Sequence, residues 1–312
     1  MGIFETVFPI LVIVLAGYWA ANRKHLSEND CDSISTFVFT YIIPMLLFIG
    51  TAKANIPDNM EWEFLFSYYA ALLFVYLLSI ILGKLFFGFS VSEQSVFGMG
   101  SSYSNATIIG IPVCMYVLGE KSLLPLFIII SIHNLILFTI GICVIEFSKF
   151  SFSSFLQNLI DIFKQLITSP ITASLIIGGL VNILNIPIYK PLEVAITLMS
   201  QAAIPTALFA LGTSLNKYKI HGKIAPVLFM VILKIVFFPL LVWILAFQVF
   251  TIEPLWASTA LLTSAMPVGI SAYIFSQKYK ECEALIATAI LVSTLGSILT
   301  LSVLLLYVQS II

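Results

Sequence analysis

Ser101-Ser102-Tyr103-Ser104-Asn105-Ala106-Thr107-Ile108-Ile109-Gly110-Ile111-Pro112-Val113 sets a run of polar side chains before a glycine and a proline, inside an otherwise apolar segment at about 95–118. Proline has no N–H, so Pro112 removes the helical donor of the Ile108 carbonyl. Gly110 permits unusual backbone angles or a close approach. Unpaired backbone groups are costly in lipid unless they line a cavity or meet protein partners. A second stretch, Thr263-Ser264-Ala265-Met266-Pro267-Val268-Gly269, repeats the logic, with Pro267 freeing the carbonyl of Thr263. Taken alone, either stretch reads as an ordinary kink relieved by nearby hydroxyls. Taken together, they read as paired breaks around one site.

The surrounding composition says what solvent these stretches meet. Hydrophobic residues make up 60% of the 312-residue chain and charged residues 9%, against about a quarter charged in soluble domains. Mean hydropathy is +1.10. So apolar a chain cannot furnish a polar exterior, and a lipid bilayer removes the need for one. Net charge is −1, which gives no basic surface for nucleic acid. Cys31, Cys114, Cys143 and Cys282 are scattered without metal-ligand spacing. No metal site, cofactor or catalytic constellation is expected. An ATP-driven pump needs a nucleotide module, which no motif here supplies. Transport is therefore expected to be passive or coupled to H+ or Na+.

Ten apolar stretches read as membrane spans, at about 4–22, 34–51, 63–84, 95–118, 122–146, 166–185, 192–213, 225–249, 255–276 and 284–309. The string Ile43-Pro44-Met45-Leu46-Leu47-Phe48 returns as Ile204-Pro205-Thr206-Ala207-Leu208-Phe209. Pro9 and Gly17 return at the same 161-residue offset as Pro170 and Gly178. Five spans per copy is odd, so the second copy should enter from the opposite side. The expected fold is an all-α polytopic membrane protein of ten transmembrane helices in a 5+5 inverted repeat, with helices 4 and 9 broken. The first repeat is expected at 1–150, a short cytoplasmic connector at 151–165 and the second repeat at 166–312. With alternating loops, one side receives ten basic residues: Arg23, Lys24, Lys84, Lys149, Lys164, Lys217, Lys219, Lys223, Lys278 and Lys280. The other receives Lys53, Lys121 and Lys190. That bias puts both termini outside the cytoplasm of a plasma or bacterial inner membrane.

Candidate substrate contacts follow from the breaks. In the fourth span they are Ser101, Ser104, Asn105, Gly110, Ile111 and Pro112; in the ninth, Thr263, Ser264, Met266 and Pro267. If the breaks meet at mid-membrane, half-helix N-termini face one cavity and attract carboxylates without a fixed cation. Pro44 and Pro205 read as shaping their helices, either curving them around the site or acting as hinges, and Pro9 and Pro170 as helix starts. Gln201, whose carbonyl Pro205 frees, is either a polar contact or a local backbone partner. Lys234, deep in the eighth span, either snorkels or pairs with substrate or structure. His133, in the fifth, is either a proton-coupling group or a neutral hydrogen-bonded one.

These strings resemble the auxin efflux carrier family, which holds plant PIN-like carriers and compact bacterial permeases for malate or malonate. The resemblance covers essentially the whole chain. It rests on Phe8-Pro9, Leu15-Ala16-Gly17-Tyr18 with Arg23, Ile43-Pro44 with Leu47-Phe48, and Asn105 with Gly110-Ile111-Pro112 and Leu118-Gly119. Ser169-Pro170, Ala203-Ile204-Pro205 with Ala207-Leu208, Leu211-Gly212-Thr213-Ser214-Leu215 and Ala265-Met266-Pro267 complete it. It implies a fold similar to bile-acid symporters and sodium/proton antiporters, with helices 4 and 9 crossing as unwound elements and Asn105 contacting substrate. It further implies a scaffold of helices 1, 2, 6 and 7, a moving transport domain of helices 3–5 and 8–10, and a homodimer through the scaffold. The short connector favours the compact branch.

The function expected is secondary transport of a small organic anion, a malate- or malonate-type dicarboxylate, by elevator-like alternating access. The alternatives are a uniporter of an auxin-like aromatic weak acid and, in a different class, a membrane sensor that binds without moving its ligand.

Overall fold

The computed structural model describes residues 3–54, 62–149, 168–215 and 224–311, with positions 157, 160 and 164, and its described secondary structure is helical apart from one isolated two-residue pairing. Helix starts follow local chemistry. Helix α1 covers Ile3–Asn22 and holds Pro9 inside it, not at its start. Helix α2 (Glu28–Phe37) opens on a capping box, the Asp30 amide donating to the Ser27 hydroxyl and the Ser27 amide to the Asp30 carboxylate. It continues through a wide π turn, Val38–Ile42, into α3 (Ile43–Ala52). Helix α4 covers Trp62–Phe87. Helix α5 (Val91–Ser102) opens on a second capping box, Ser90 with Glu93. Beyond an unwound stretch, a π turn at Ala106–Gly110 leads into α6 (Ile111–Leu118), and α7 covers Leu123–Lys149.

Helix α8 (Pro170–Ile183) starts on Pro170, as expected. Helices α9 (Lys190–Gln201) and α10 (Ala203–Leu215) follow, with Pro205 in the first turn of α10. Helix α11 (Ile224–Ile232) passes through a π turn at Leu233–Phe237 into α12 (Phe238–Trp243) and another at Ile244–Val249. Helix α13 (Pro254–Ala265), α14 (Ile270–Tyr279) and α15 (Glu283–Ile311) complete the described chain.

Three of the π turns end just before a proline-containing first turn, at Pro44, Pro112 and Pro239. The physical reason is the missing N–H. In two of them the residue before the proline donates five residues back, Ile43 to Val38 and Phe238 to Leu233. The wider turn re-registers the ladder around the proline while keeping the helix continuous. Gly110 is therefore ordinary right-handed helix, φ −63° and ψ −46°.

The expectation of ten transmembrane helices in a 5+5 inverted repeat is corrected. Among the described residues six helical runs are long and apolar enough to cross: Glu28–Ala52, Trp62–Phe87, Glu120–Glu146, Lys190–Leu215, Ile224–Val249 and Glu283–Ile311. Phe8–Asn22, Ala106–Leu118 and Pro170–Ile183 are shorter apolar helices. At 1.5 Å per residue, the 14 residues of α8 reach about 21 Å, short of a hydrocarbon core of about 30 Å. The expected spans at 95–118 and 255–276 are each interrupted by non-helical residues. Without ten alternating spans, the loop charges no longer sort onto two faces by simple alternation. The connector expected at 151–165, isolated positions aside, and Lys217, Lys219 and Lys223 lie outside the described residues.

The exposure pattern still identifies lipid as the solvent. Helix α15 buries Ser293, Thr294 and Ser297 while exposing Leu295, Leu299, Val303 and Leu306 at helical spacing. Helix α4 buries Ser67, Tyr76 and Ser79 and exposes Phe66, Phe74, Leu77 and Leu85. Hydroxyls inward and leucines outward reverse the soluble pattern, and only an apolar exterior makes that arrangement favourable. The protein is an integral membrane protein.

The chain divides into two compact units, Met1–Met60 with Thr107–Ser131 and Gln165–Lys217, and Glu61–Ala106 with Ile132–Lys164 and Tyr218–Ile312. In the first, glycines let backbones touch. A Cβ on Gly17 would strike the Phe209 carbonyl, and one on Gly212 the Val14 carbonyl, so α1 and α10 are in backbone contact. Helix α8 approaches α3 likewise, a Gly178 Cβ falling 2.7 Å from the Phe48 carbonyl oxygen. The Asn182 amide then caps α3, reaching the carbonyls of Thr51, Ala52 and Ala54 at 3.1, 3.0 and 2.8 Å. Lys53 and Lys190 both pair with Glu193.

In the second unit, Tyr76 and Ser95 share a hydrogen bond of 2.9 Å, and the Ser95 hydroxyl donates to the Gly141 carbonyl at 3.0 Å. That chain ties α4, α5 and α7 together by groups an apolar medium cannot satisfy otherwise.

Gly212→Ala should separate α1 from α10 and lower the thermal stability of the detergent-purified protein, by about 1–3 kcal/mol or more because the obstacle is backbone. Gly179→Ala is the matched control, since its Cβ meets nothing nearer than the Thr51 methyl at 3.8 Å. Equal melting curves for the two variants would contradict the close packing.

Candidate functional site

Helices α5 and α13 have 12 residues each, so each extends about 18 Å, somewhat over half a hydrocarbon core. Both stop in the second unit on extended residues. Tyr103 adopts φ −77° and ψ 112°, and Met266 φ −59° and ψ 147°. The two extended segments lie antiparallel. The Asn105 amide donates to the Pro267 carbonyl at 2.9 Å, and the Gly269 amide to the Tyr103 carbonyl at 3.0 Å. Ser104 and Val268 sit opposite each other between these bonds. Beyond the pairing the chain resumes helix at Ala106 and at Ile270.

Two amides point away from the pairing, and each is met by a side chain from a long continuous helix. The Ser104 amide donates to His133 Nε2 of α7 at 3.2 Å. The Val268 amide donates to the Ser293 hydroxyl of α15 at 3.0 Å. Tyr68 of α4 adds a hydroxyl contact to the Ser104 hydroxyl at 3.3 Å. Gly269 is required by proximity: a Cβ there would lie 2.5 Å from the Tyr103 ring and 3.1 Å from the Ser104 carbonyl oxygen. Its φ of −77° suits any residue, so close approach, not conformation, selects glycine.

Breaking α13 also frees carbonyls at its end. Met266 N–H reaches the Thr263 carbonyl at 3.3 Å. The Ser264 carbonyl would ordinarily receive the Val268 amide, which is engaged by Ser293. Lys234 takes that place. Its side chain is fully buried, and Nζ donates to the Ser264 carbonyl at 2.6 Å while standing 4.9 Å from the Phe238 ring centroid. The Lys234 amino group thus caps the carbonyl end of the helix and packs over the Phe238 ring. It does not snorkel.

The structure gathers Ser101, Ser104, Asn105, Thr263, Ser264, Met266, Pro267, His133 and Lys234 in the second unit. Asn105, Ser104 and Met266 are buried at the pairing. Several expected hydroxyl contacts serve the backbone instead: Ser101 donates to the Phe97 carbonyl at 2.9 Å, Thr263 to Thr259 at 2.6 Å and Ser264 to Leu261 at 2.7 Å. Gly110, Ile111 and Pro112 belong to the first unit and are helical, so the break falls at Tyr103–Asn105, upstream of the proline that suggested it. Gln201 lies exposed at the end of α9, also in the first unit. Tyr68, Tyr103, Val268, Gly269 and Ser293 complete the site. Gly269, two residues past Pro267, carried a readable signal. Ser293 did not, being one of several serines on an apolar helix.

Ser293→Ala should leave the Val268 amide unpartnered in a buried setting and destabilise the protein by about 1–3 kcal/mol. Ser293→Thr keeps the hydroxyl and should restore most of that loss. Thermal unfolding in one detergent reads both, and an Ala variant as stable as wild type would mean that Ser293 does not hold the segment.

Comparison with known proteins adds a family to this geometry. The sequence profile described as membrane transport protein matches residues 2–305. The chain is 23% identical to a putative malonate transporter of Rhizobium meliloti (strain 1021), over 97% of this chain and 95% of that protein. It is 24% identical to an uncharacterized transporter of Methanocaldococcus jannaschii, over 96% of each. It is 23% identical to auxin efflux carrier component 5 of Arabidopsis thaliana, over 95% of this chain and 93% of that protein.

Proposed function

The chain belongs to the membrane transport protein family, and we propose that the solute it carries is a small organic anion, of which a malonate- or malate-type dicarboxylate is the leading member. Family membership makes it a secondary transporter of small organic molecules, not an enzyme. One observation carries the anion reading. At the paired segments the carbonyl end of α13 is already capped by Lys234 Nζ, which donates to the Ser264 carbonyl. The amide end of α14, which starts at Ile270 just past the pairing, carries the opposite partial charge and suits a carboxylate. Asn105, buried beside it on the partner segment, supplies an amide for a substrate oxygen. The name of the Rhizobium meliloti relative agrees with this chemistry.

The proposed mechanism is elevator-like. The second unit carries the site and moves as a transport domain, and the first unit, with α1, α3, α8 and α10 in backbone contact, serves as scaffold. What supports this is the partition of the chain: both interrupted helices α5 and α13, with Lys234 and His133, fall in one compact unit, and the glycine-packed helices fall in the other. Residues 107–131, expected with the transport domain, group with the scaffold instead. Homodimerisation through the scaffold, residence in a plasma or bacterial inner membrane with external termini, and coupling to H+ or Na+ belong to the same proposal. A second reading, an aromatic weak acid, is favoured by the Tyr68, Tyr69 and Tyr103 rings around His133 and by the plant relative's name.

Purified protein in liposomes should take up labelled malonate or malate, with unlabelled dicarboxylate competing better than an aromatic monocarboxylate. Collapsing the proton or sodium gradient should slow uptake if either ion is coupled. Asn105→Ala should cut flux about tenfold, the cost of one hydrogen bond to a charged group, while inserting normally. Binding without flux would reveal a sensor, and preferred uptake of the aromatic acid would favour the second reading.

A further inference from the structure

His133 is engaged at one ring nitrogen and unengaged at the other. Nε2 accepts the Ser104 amide at 3.2 Å. That nitrogen must offer its lone pair, so the proton of the neutral ring sits on Nδ1. Nδ1 is buried and has no hydrogen-bond partner among the described residues, on a residue that is 2% exposed. Three tyrosine rings surround the imidazole, Tyr103 edge-on at 4.7 Å between centroids, Tyr68 at 5.9 Å and Tyr69 at 6.5 Å.

Holding Ser104 does not explain this second nitrogen. On the opposite segment a simple hydroxyl, that of Ser293, meets the Val268 amide, and a glutamine carbonyl in place of the imidazole would serve as acceptor equally well. A buried donor left unpaired retains its full desolvation cost. Among the described residues, many buried hydroxyls of this unit are satisfied by back-bonding to their own helix, as with Ser101, Ser102 and Thr263, and Ser258 Oγ is another buried side-chain atom without a hydrogen-bond partner.

We propose that His133 Nδ1–H is a substrate-binding donor, which takes a carboxylate oxygen of the transported anion while the three tyrosine rings orient the ligand. This rests on the organic-anion reading above and adds to it the residue that holds the anion. The chemistry recognised is an oxygen acceptor, and a carboxylate is the acceptor that best matches a donor in so apolar a setting. The geometry also links binding to the paired segments. An anion on Nδ1 polarises the ring and makes Nε2 a stronger acceptor for the Ser104 amide. Substrate therefore tightens the hold of α7 on Tyr103–Asn105.

Two substitutions separate the nitrogens. His133→Gln places its amide oxygen near the Nε2 position, keeping an acceptor for Ser104 and losing the Nδ1 donor. His133→Asn places its amide near Nδ1, keeping the donor and losing the acceptor. Malonate binding and thermal unfolding should be measured on the full chain in detergent. His133→Gln should melt like wild type and bind malonate at least tenfold more weakly. His133→Asn should melt lower and bind more tightly than His133→Gln. If His133→Gln binds malonate as wild type does, Nδ1 serves only a buried water and the proposal is overturned, while the anion reading stands. If wild type binds neither malonate, malate nor an aromatic monocarboxylate, the anion reading itself falls and takes this one with it. Histidine-selective 15N spectra of the wild type guard against misfolded variants. With 3 histidines in the chain, an Nδ1 resonance that shifts on adding malonate supports the assignment, and histidine resonances that all stay fixed while malonate binds overturn it.

Discussion

An interrupted helix in an apolar medium must find a partner for every backbone group that the interruption frees. The second unit is organised around that constraint. Extended residues at Tyr103–Asn105 and Met266–Gly269 satisfy the Asn105 and Gly269 amides and the Pro267 and Tyr103 carbonyls on each other. His133, Ser293 and Lys234 satisfy groups that the pairing leaves over. Each comes from a different helical element, so the site cannot form until α7, α15 and the turn after α11 have packed. The long helices around the breaks are as much a part of the site as the broken ones.

The two units meet the same medium with different devices. The first relies on glycine: Gly17, Gly178 and Gly212 bring helix backbones together where any Cβ would collide. Packing and dispersion then hold the helices without a hydrophobic drive, which lipid does not provide. The second relies on hydroxyls, aromatic rings and buried ionisable side chains such as His133 and Lys234.

Much of this was legible in the sequence for physical reasons. Low charge and high hydropathy dictated lipid. Polar residues crowded against Pro112 and Pro267 announced two breaks, because such side chains are costly in a lipid-exposed helix. The location of the first break was not legible. Pro112 pointed at itself, yet the chain accommodates Pro112 with a π turn and unwinds earlier, where Ser104 has His133 to receive its amide. The tally of ten spans failed similarly. Hydropathy registers an apolar stretch whether it forms one long helix, two half-helices or a short one, and so could not distinguish α5 and α13 from spanning helices.

By itself the sequence determined the solvent, the helical class, the family and the two regions where helices yield. Those are properties of composition and of proline's missing donor, and they act over a few neighbouring residues. Only the tertiary structure decided which groups answer the breaks. Whether Lys234 would snorkel or cap a helix, whether His133 would pack or hold a backbone amide, and whether Gln201 would join the site all depended on which helices lie side by side. Lys234 meets Ser264, and His133 meets Ser104, across about thirty residues of chain. The energy of each contact depends on burial that no local window of sequence contains.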